Sequence, residues 1–244
     1  MIKKLIRRIL GTKQKNGDTS KAVVLTAKEH RIDPKLVSAN AVRVTSTLQQ
    51  AGFKAFLVGG AVRDLLLGVK PKDFDIATNA TPEQVKRLFR RAFIIGKRFQ
   101  IVHVMFGQDL LEVTTFRGTS TDAAPKDEHG RVLRDNTFGE QHEDALRRDF
   151  TINAMYYDPA TQTVLDYHGG MADIRNKTLR IIGVPEARYR EDPVRMLRVV
   201  RFAAKLNFII DPATSAPIRV MAPLINNVPV SYTHLRAHET REDL

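Results

Sequence analysis

The chain has 244 residues, of which 43% are hydrophobic and 27% charged, a composition typical of a globular protein with one large or two small domains. It has no cysteine and no apolar run long enough to cross a bilayer, so disulfides, thiolate chemistry and membrane spans are excluded, and we expect a cytoplasmic location. The excess of 39 Lys and Arg over 27 Asp and Glu gives a net charge of +12, which favours nucleotide or nucleic-acid partners over general solubility alone.

The first segment is strongly basic. MIKKLIRRILGTKQK contains six basic side chains and no acidic one, and its apolar residues recur at helical spacing. We interpret residues 1–34 as a basic N-terminal arm followed by a polar linker. Weak contact of this arm with RNA or an anionic membrane surface is the alternative to a frayed arm, and a transit peptide stays open.

From about residue 35 the pattern predicts helices and strands in alternation. A helix ending at Gly52 precedes a buried strand, FKAFLVGG, a helix, AVRDLLLG, and a second strand, DFDIAT. Thr81 and Gln84 have the spacing of a capping box, so the next helix should begin there. Three strands follow: AFIIG, QIVHVMFG and LLEVTTF. This order predicts an α+β fold with helices packed on one side of a sheet.

The second half of the chain becomes increasingly helical. Residues 118–136 are polar and contain Gly and Pro, which predicts a mobile loop. EQHEDALRRDFTINAMYY predicts a helix leading into an apolar stretch, and two short strands should flank Gly169-Gly170. From Pro193 the pattern is helical. We therefore predict a sheet domain over 35–185 and a partial helical region over 186–229.

Two aspartates in the strand DFDIAT suggest a metal site. Asp73 and Asp75 are two residues apart, so both side chains should point to one side while Phe74 points into the core. Mg²⁺, a hard cation, favours carboxylate oxygens together with phosphate. Glu112, in LLEVTTF, could complete the three-carboxylate cluster of a two-metal phosphoryl-transfer site. The pair alone is a weak signal, and a solvated strand end is the alternative.

A double glycine upstream strengthens the phosphoryl-transfer interpretation. Gly59-Gly60 lies between a buried strand and a helix, where backbone N–H groups can bind phosphate. A tight turn would use the same glycines. A phosphate-binding turn shortly before a buried acidic pair is the combination that favours nucleotide chemistry.

These motifs resemble the signature of the class II nucleotidyltransferases, which comprise bacterial poly(A) polymerases and tRNA CCA-adding enzymes. The resemblance covers roughly residues 35–228. It is carried in family order by LVGGAVRDLLLG-x-x-PKDFDIAT, LLEVTTFR, RRDFTINAMYY, LDYHGGMADI and REDPVRMLRVVRFAAKL. It implies a polymerase-β-like palm over 35–185, followed by a helical neck that includes the RNA-binding region 186–229.

The resemblance also implies roles for particular residues. Two Mg²⁺ ions would be bound by the three acidic side chains, Asp73, Asp75 and Glu112. The triphosphate of the substrate ATP would be contacted by Gly59, Gly60 and Arg63. The ribose and phosphates would be held by the RRDFTIN motif, through Arg147, Arg148, Asp149 and Asn153.

The motif EDPVR would recognise the incoming base. The resemblance assigns this role to Asp192 and Arg195, with Arg198 nearby. Residues three apart on a helix share a face, so an acceptor carboxylate would lie beside a planar donor group. A helix cap for Asp192 and a surface ion pair for Arg195 are the alternatives.

The palm motifs do not separate the two family activities, so other segments must. GKRFQIVHVMFG, residues 96–107, resembles the poly(A) polymerase version of this strand. We therefore expect template-independent addition of AMP from ATP to RNA 3′ ends, which would promote RNA polyadenylation and decay. CCA addition to tRNA is the first alternative, and a non-catalytic RNA-binding module is the second.

The last residues differ from those before them. Residues 230–244, VSYTHLRAHETREDL, lack the apolar periodicity of the preceding helices. We interpret them as a non-native tail, with a natural C-terminal tail as the alternative. We therefore expect the chain to be C-terminally truncated and the natural protein to continue with helical sequence that binds RNA.

Overall fold

The computed structural model describes residues 20–96, 100–118 and 137–228. The predicted amphipathic arm, residues 119–136 of the predicted loop and the predicted tail lie outside these ranges.

The described residues form ten strands and ten α-helices, with short 3₁₀ turns between some of them. The strands are β1 (Val23–Leu25), β2 (Ala55–Val58), β3 (Asp75–Thr78), β4 (Ala92–Ile95), β5 (Ile101–Phe106), β6 (Asp109–Thr115), β7 (Met155–Asp158), β8 (Thr163–Asp166), β9 (Thr178–Leu179) and β10 (Ile209–Ile210). The helices are α1 (Ala27–His30), α2 (Ala39–Gln50), α3 (Gly60–Leu66), α4 (Pro82–Leu88), α5 (Gln141–Arg147), α6 (Gly170–Arg175), α7 (Pro185–Glu191), α8 (Val194–Leu206), α9 (Pro212–Ser215) and α10 (Ile218–Met221).

Eight of these strands form one mixed sheet in the order β1-β8-β7-β2-β3-β6-β5-β4. Within it β3 and β6 run parallel, whereas the other neighbouring pairs run antiparallel. β9 and β10 form a separate parallel pair. The predicted α+β class is therefore confirmed.

The main core lies between helices and one face of this sheet. Leu48 of α2 and Val85 of α4 pack in the same buried cluster as Leu57, Ile76 and Val113 of the central strands. Tyr189 and Phe202, from α7 and α8, belong to the same cluster. The helices after residue 185 therefore share one core with the sheet. Among the described residues, no helix is long and apolar enough to span a membrane.

Local signals place most element boundaries where the sequence predicts them. Thr81 accepts a hydrogen bond from the Gln84 amide, and the Gln84 side chain accepts one from the Thr81 amide, which confirms the capping box. Ser38 caps α2, and Gly52 follows its end with a φ of 88°. Such a positive φ is the conformation that glycine adopts without a steric penalty.

Two predictions about this part of the fold need correction. Residues 20–34 are not a linker throughout, because β1 pairs with β8 along the edge of the main sheet. Three residues with weak periodicity gave too short a pattern to predict that strand. The two predicted strands around Gly169-Gly170 are present as β8 and β9, but α6 begins at Gly170 between them. A Cβ on Gly170 would lie 2.3 Å from the Thr151 carbonyl oxygen, so only glycine fits this close approach.

Candidate active site

Two of the predicted carboxylates lie side by side on adjacent strands. Asp75 of β3 and Glu112 of β6 are direct partners in the parallel register, so their side chains share one face of the sheet. Asp73 is exposed and precedes β3, which begins at Asp75. Phe74 between them is only 6% exposed. The predicted alternation of acidic and core side chains therefore agrees with the burial of these three residues.

The chemistry of this carboxylate group suits a hard cation. Asp75 and Glu112 have carboxylate oxygens at neighbouring positions of the sheet, with Asp73 two residues earlier in the sequence, and such oxygens are the ligands that Mg²⁺ prefers. Within 20–96, 100–118 and 137–228, no three His, Cys, Asp or Glu side chains lie close enough together to form a ready-made metal site. The donor set fits Mg²⁺, and the assignment of Asp73, Asp75 and Glu112 as its ligands stays a prediction.

Gly59 brings the backbone next to the carboxylates. It precedes α3 with a φ of 71° and a ψ of −138°, a conformation that favours glycine. A Cβ at this position would lie 3.6 Å from Asp75 Oδ2 and 3.6 Å from Arg148 Nη1. The glycine turn, an acidic side chain and a guanidinium group therefore meet at one point, although they are far apart in the sequence.

Arg63 points into the interior. It is 4% exposed, its Nε donates to Asp64 Oδ1 at 2.8 Å, and its Nη1 donates to Asn153 Oδ1 at 2.9 Å. Its guanidinium carbon also lies 5.4 Å from the centre of the Phe202 ring. In this arrangement Arg63 connects α3 to the Asn153 turn and to α8. The triphosphate contact that the resemblance implies for Arg63 stays a prediction.

Arg148 belongs to a buried polar group on the carboxylate face. Its Nη2 lies 3.1 Å from Asp144 Oδ2, and the same oxygen accepts a 2.6 Å hydrogen bond from the Tyr156 hydroxyl. Burial disfavours the charge on Arg148, but Asp144 and Tyr156 outweigh it and raise the pKa of Arg148. Burial raises the pKa of Tyr156 well above its usual value. Arg148 therefore stays charged in its position beside Gly59.

Asp149 is held by the helical region. Nε and Nη2 of Arg198 donate to Asp149 Oδ2 at 2.9 and 2.6 Å. The other oxygen, Oδ1, accepts from the Phe150 amide at 2.7 Å and from Asn153 Nδ2 at 3.3 Å. Burial opposes the charge of Asp149, yet Arg198 and these hydrogen bonds lower its pKa. The structure thus joins four predicted site residues in one chain of contacts: Arg198, Asp149, Asn153 and Arg63.

A cavity of about 240 Å³ lies next to the Arg148–Asp144 pair. It is lined by three arginines, one aspartate and one threonine: Arg117, Arg147, Arg148, Asp144 and Thr114. Burial, together with repulsion from Arg117, Arg188 and Arg195, lowers the pKa of Arg147 to about 10. The positive charge concentrated here suits a phosphate-bearing ligand.

Arg188 is a residue that sequence reasoning missed. Its Nη2 donates to the carbonyl oxygens of Arg147 and Arg148 at 2.7 and 2.6 Å. Its Nη1 donates to Glu191 Oε2 at 2.9 Å, and this oxygen also accepts from Arg195 Nη1 at 2.7 Å. The sequence ARYRED contains two arginines two residues apart, and no local pattern shows which of them turns inward.

The helical argument for Asp192 and Arg195 is wrong. α7 ends at Glu191 and α8 begins at Val194, and Asp192 between them has an extended backbone, with φ of −149° and ψ of 96°. Pro193 disfavours helical geometry in the residue before it. The Arg195 amide still donates to the Asp192 carbonyl at 3.1 Å, so the two residues remain within one turn. Their predicted role in reading the base stays a prediction.

The mixed sheet, with neighbouring carboxylates on its parallel pair and a glycine turn beside them, defines the chain as a nucleotidyltransferase palm followed by helices. A family model described as the Poly A polymerase head domain matches residues 55–180, and the chain belongs to this family.

Individual relatives agree with this membership. Poly(A) polymerase I of Salmonella typhi is 50% identical over an alignment 233 residues long, which covers 91% of this chain and 50% of that protein. A crystal structure of the Bacillus stearothermophilus CCA-adding enzyme in complex with CTP has a TM-score of 0.67 and 38% identity, covering 78% of this chain and 45% of that one. A tRNA nucleotidyltransferase complexed with a primer tRNA and an incoming ATP analog has a TM-score of 0.58 and 32% identity, covering 74% and 50%. The chain thus spans about half the length of these relatives.

Proposed function

We propose that this chain carries the nucleotidyltransferase centre of a polynucleotide adenylyltransferase, which adds AMP from ATP to RNA 3′ ends without a template. The observation that carries the proposal is the meeting of Asp75, its register partner Glu112, and the Gly59 turn beside Arg148. The 50% identity to a poly(A) polymerase I supports adenylate as the transferred group. RNA polyadenylation, followed by RNA decay, is the expected consequence.

In this reaction the 3′ oxygen of the RNA attacks the α-phosphorus of ATP. The bond to the β,γ-phosphates breaks, pyrophosphate leaves, and the hydroxyl proton passes to solvent. Two Mg²⁺ ions held by Asp73, Asp75 and Glu112 would supply activation of the hydroxyl and neutralisation of phosphate charge. Arg148, fixed by Asp144 beside Gly59, places a permanent positive charge where the charge of the leaving group develops.

The remaining predicted contacts follow from the same arrangement. Arg147 lines the arginine-rich cavity, which suits the phosphates and ribose of the nucleotide. Asp192 and Arg195, within one turn of each other, would read the base after Arg195 exchanges its contacts with Glu191 and the Arg188 carbonyl oxygen. Base choice would therefore depend on a local rearrangement of the segment between α7 and α8.

A second candidate function is CCA addition to tRNA. It is favoured by the structural likeness to a CCA-adding enzyme solved with CTP. RNA is the acceptor in both candidates, and the neighbour solved with a primer tRNA supports this class of partner. The two candidates differ in nucleotide choice, which makes that choice the decisive measurement.

The test is incorporation of ATP or CTP into oligo(A) and into tRNA ending in CC, with Mg²⁺ present. We expect long A-tails and no CMP incorporation. Asp75→Asn should lower incorporation by at least about 100-fold while retaining RNA affinity. Asp109→Asn, an exposed aspartate at the start of the strand that carries Glu112, is the matched control. Addition that stops after one A on tRNA-CC would favour the second candidate, and equal incorporation by Asp75→Asn and the parent would exclude both.

A further inference from the structure

The described residues cover the carboxylate face of the sheet unevenly. Near β2 and β7 it is buried by a small cluster that includes Ala145 of α5 and Tyr156. Toward the β4 edge the same face carries exposed apolar side chains. Phe93, Ile95 and Leu110 are 53%, 46% and 44% exposed. An apolar patch of this kind beside a polar site marks an interaction surface.

The register places this patch in line with the carboxylates. Phe93 of β4 pairs with His103 of β5, His103 pairs with Glu112 of β6, and Glu112 pairs with Asp75 of β3. These side chains therefore share one face. His103 Nε2 lies 3.5 Å from Glu112 Oε1. Because neighbouring strands lie about 4.8 Å apart, Phe93 stands about 10 Å from the strand position of Glu112.

The two sides of the carboxylate pair differ in chemistry. On the Asp75 side lie Gly59, Arg148 and the arginine-rich cavity, which suit the triphosphate. On the Glu112 side lie a half-buried imidazole and an exposed phenyl ring. Two substrates must meet at the carboxylates, and the arginine side accounts for ATP. The Glu112 side is therefore left for the attacking end of the RNA.

We propose that Phe93 and His103 form a stacking platform for the 3′-terminal bases of the RNA, with Ile95 and Leu110 as its apolar border. The proposal rests on the proposed function, because it names the RNA side of that site. Stacking on aromatic rings tolerates every base, which suits an enzyme that works without a template. Phe93 lies on edge strand β4 and is 53% exposed, so its ring is accessible to an RNA base.

Binding of the RNA end can be measured without catalysis. Oligo(A) with a 3′-terminal 2-aminopurine is titrated with the 244-residue chain in EDTA, following both affinity and the fluorescence quenching that stacking produces. Phe93→Ala and Phe93→Leu should weaken binding about tenfold and reduce the quenching, whereas Phe93→Trp should preserve both. Val23→Ala is the matched control, since Val23 is 63% exposed on the opposite edge strand of the same sheet.

In the presence of Mg²⁺, Phe93→Ala should raise the KM for RNA about tenfold and leave the KM for ATP unchanged. Unchanged RNA affinity in Phe93→Ala would overturn the proposed stacking platform. The same conclusion would follow if Phe93→Leu kept the full RNA affinity of the parent, or if the parent itself bound no RNA. Loss of self-association in Phe93→Ala without loss of RNA affinity would instead identify the face as an interface between copies. If the parent adds no AMP but Phe93→Ala still loses RNA binding, the platform stands and the proposed function fails.

Discussion

Arg198 of α8 forms two hydrogen bonds with one oxygen of Asp149, at 2.9 and 2.6 Å. The pair is mostly buried, with side-chain exposures of 22% and 14%. Through Asn153 it is connected to Arg63 in the helix that follows the glycine turn. Arg198 in the helical region therefore helps to hold the Asp149 segment of the sheet domain in place. Removing this contact should change both the stability of the fold and the geometry of the site.

The first prediction concerns the stability that this pair provides. Arg198→Met should lower the free energy of unfolding by about 3 kcal/mol, because it leaves the Asp149 carboxylate buried without its cation. Urea denaturation followed by circular dichroism measures the change. Arg190→Met, an exposed arginine on α7, should change stability by less than about 0.5 kcal/mol. Adding Asp149→Asn to Arg198→Met should recover part of the loss, and strictly additive effects would contradict the coupling.

The second prediction is the pH dependence of the same interaction. The pKa of Asp149 is lowered in the folded state, so its contribution is present above the unfolded pKa of about 3.9 and is lost as pH falls through the folded value. The stability difference between the parent and Asp149→Asn should therefore be largest near neutral pH and shrink below about pH 4. Denaturation midpoints measured from pH 3 to 7 give this difference. If the stability difference between the parent and Asp149→Asn instead grew as the pH fell, the pKa of Asp149 would not be lowered in the folded state.

These contacts show which parts of the molecule could be predicted from sequence. The capping box at Thr81 and the glycine after α2 depend on neighbouring residues, so local patterns were sufficient for them. The alternation of acidic and apolar residues around Phe74 likewise predicted that Phe74 is buried and that Asp75 points to the opposite face of the sheet. The pairing of Asp75 with Glu112 depends on the sheet order, so the sequence pattern offered it only as a possibility, which the family resemblance then supported.

Features set by distant contacts were not predictable. The inward turn of Arg63 depends on Asn153 and Phe202, which lie far along the chain. The role of Arg188 depends on carbonyl oxygens about forty residues earlier, which carry no side-chain signature. β1 becomes a strand because β8 offers it an edge. In each case the partner, and not the local sequence, decides the conformation.

The third prediction concerns Arg188, which donates to the backbone carbonyls of Arg147 and Arg148. Arg188→Lys should raise the KM for ATP about tenfold with a smaller change in kcat, because a single ammonium group cannot bind both carbonyls and Glu191 together, whereas the guanidinium uses Nη2 for the carbonyls and Nη1 for Glu191. Steady-state incorporation of ATP into oligo(A) measures it, with Arg190→Lys as the control. A fall in kcat at constant KM would show that Arg188 does not position the two arginines that we propose to bind the nucleotide, Arg147 and Arg148.

The fourth prediction separates backbone strain from function at the glycine turn. Gly59 and Gly52 both have positive φ, of 71° and 88°. Alanine at Gly52 should cost about 1–2 kcal/mol of stability, and alanine at Gly59, whose ψ of −138° strongly favours glycine, should cost at least as much. At Gly52 a Cβ would meet no atom within 4 Å, whereas at Gly59 it would touch Asp75 Oδ2 and Arg148 Nη1.

We therefore expect Gly52→Ala to retain the parent's affinity for ATP. Gly59→Ala should lose ATP affinity by at least about tenfold, because the methyl group occupies the space between the carboxylate and the guanidinium where a phosphate would approach. Equilibrium binding of ATP to both folded variants measures this. Equal affinities would show that Gly59 serves the turn alone and that the phosphates bind elsewhere.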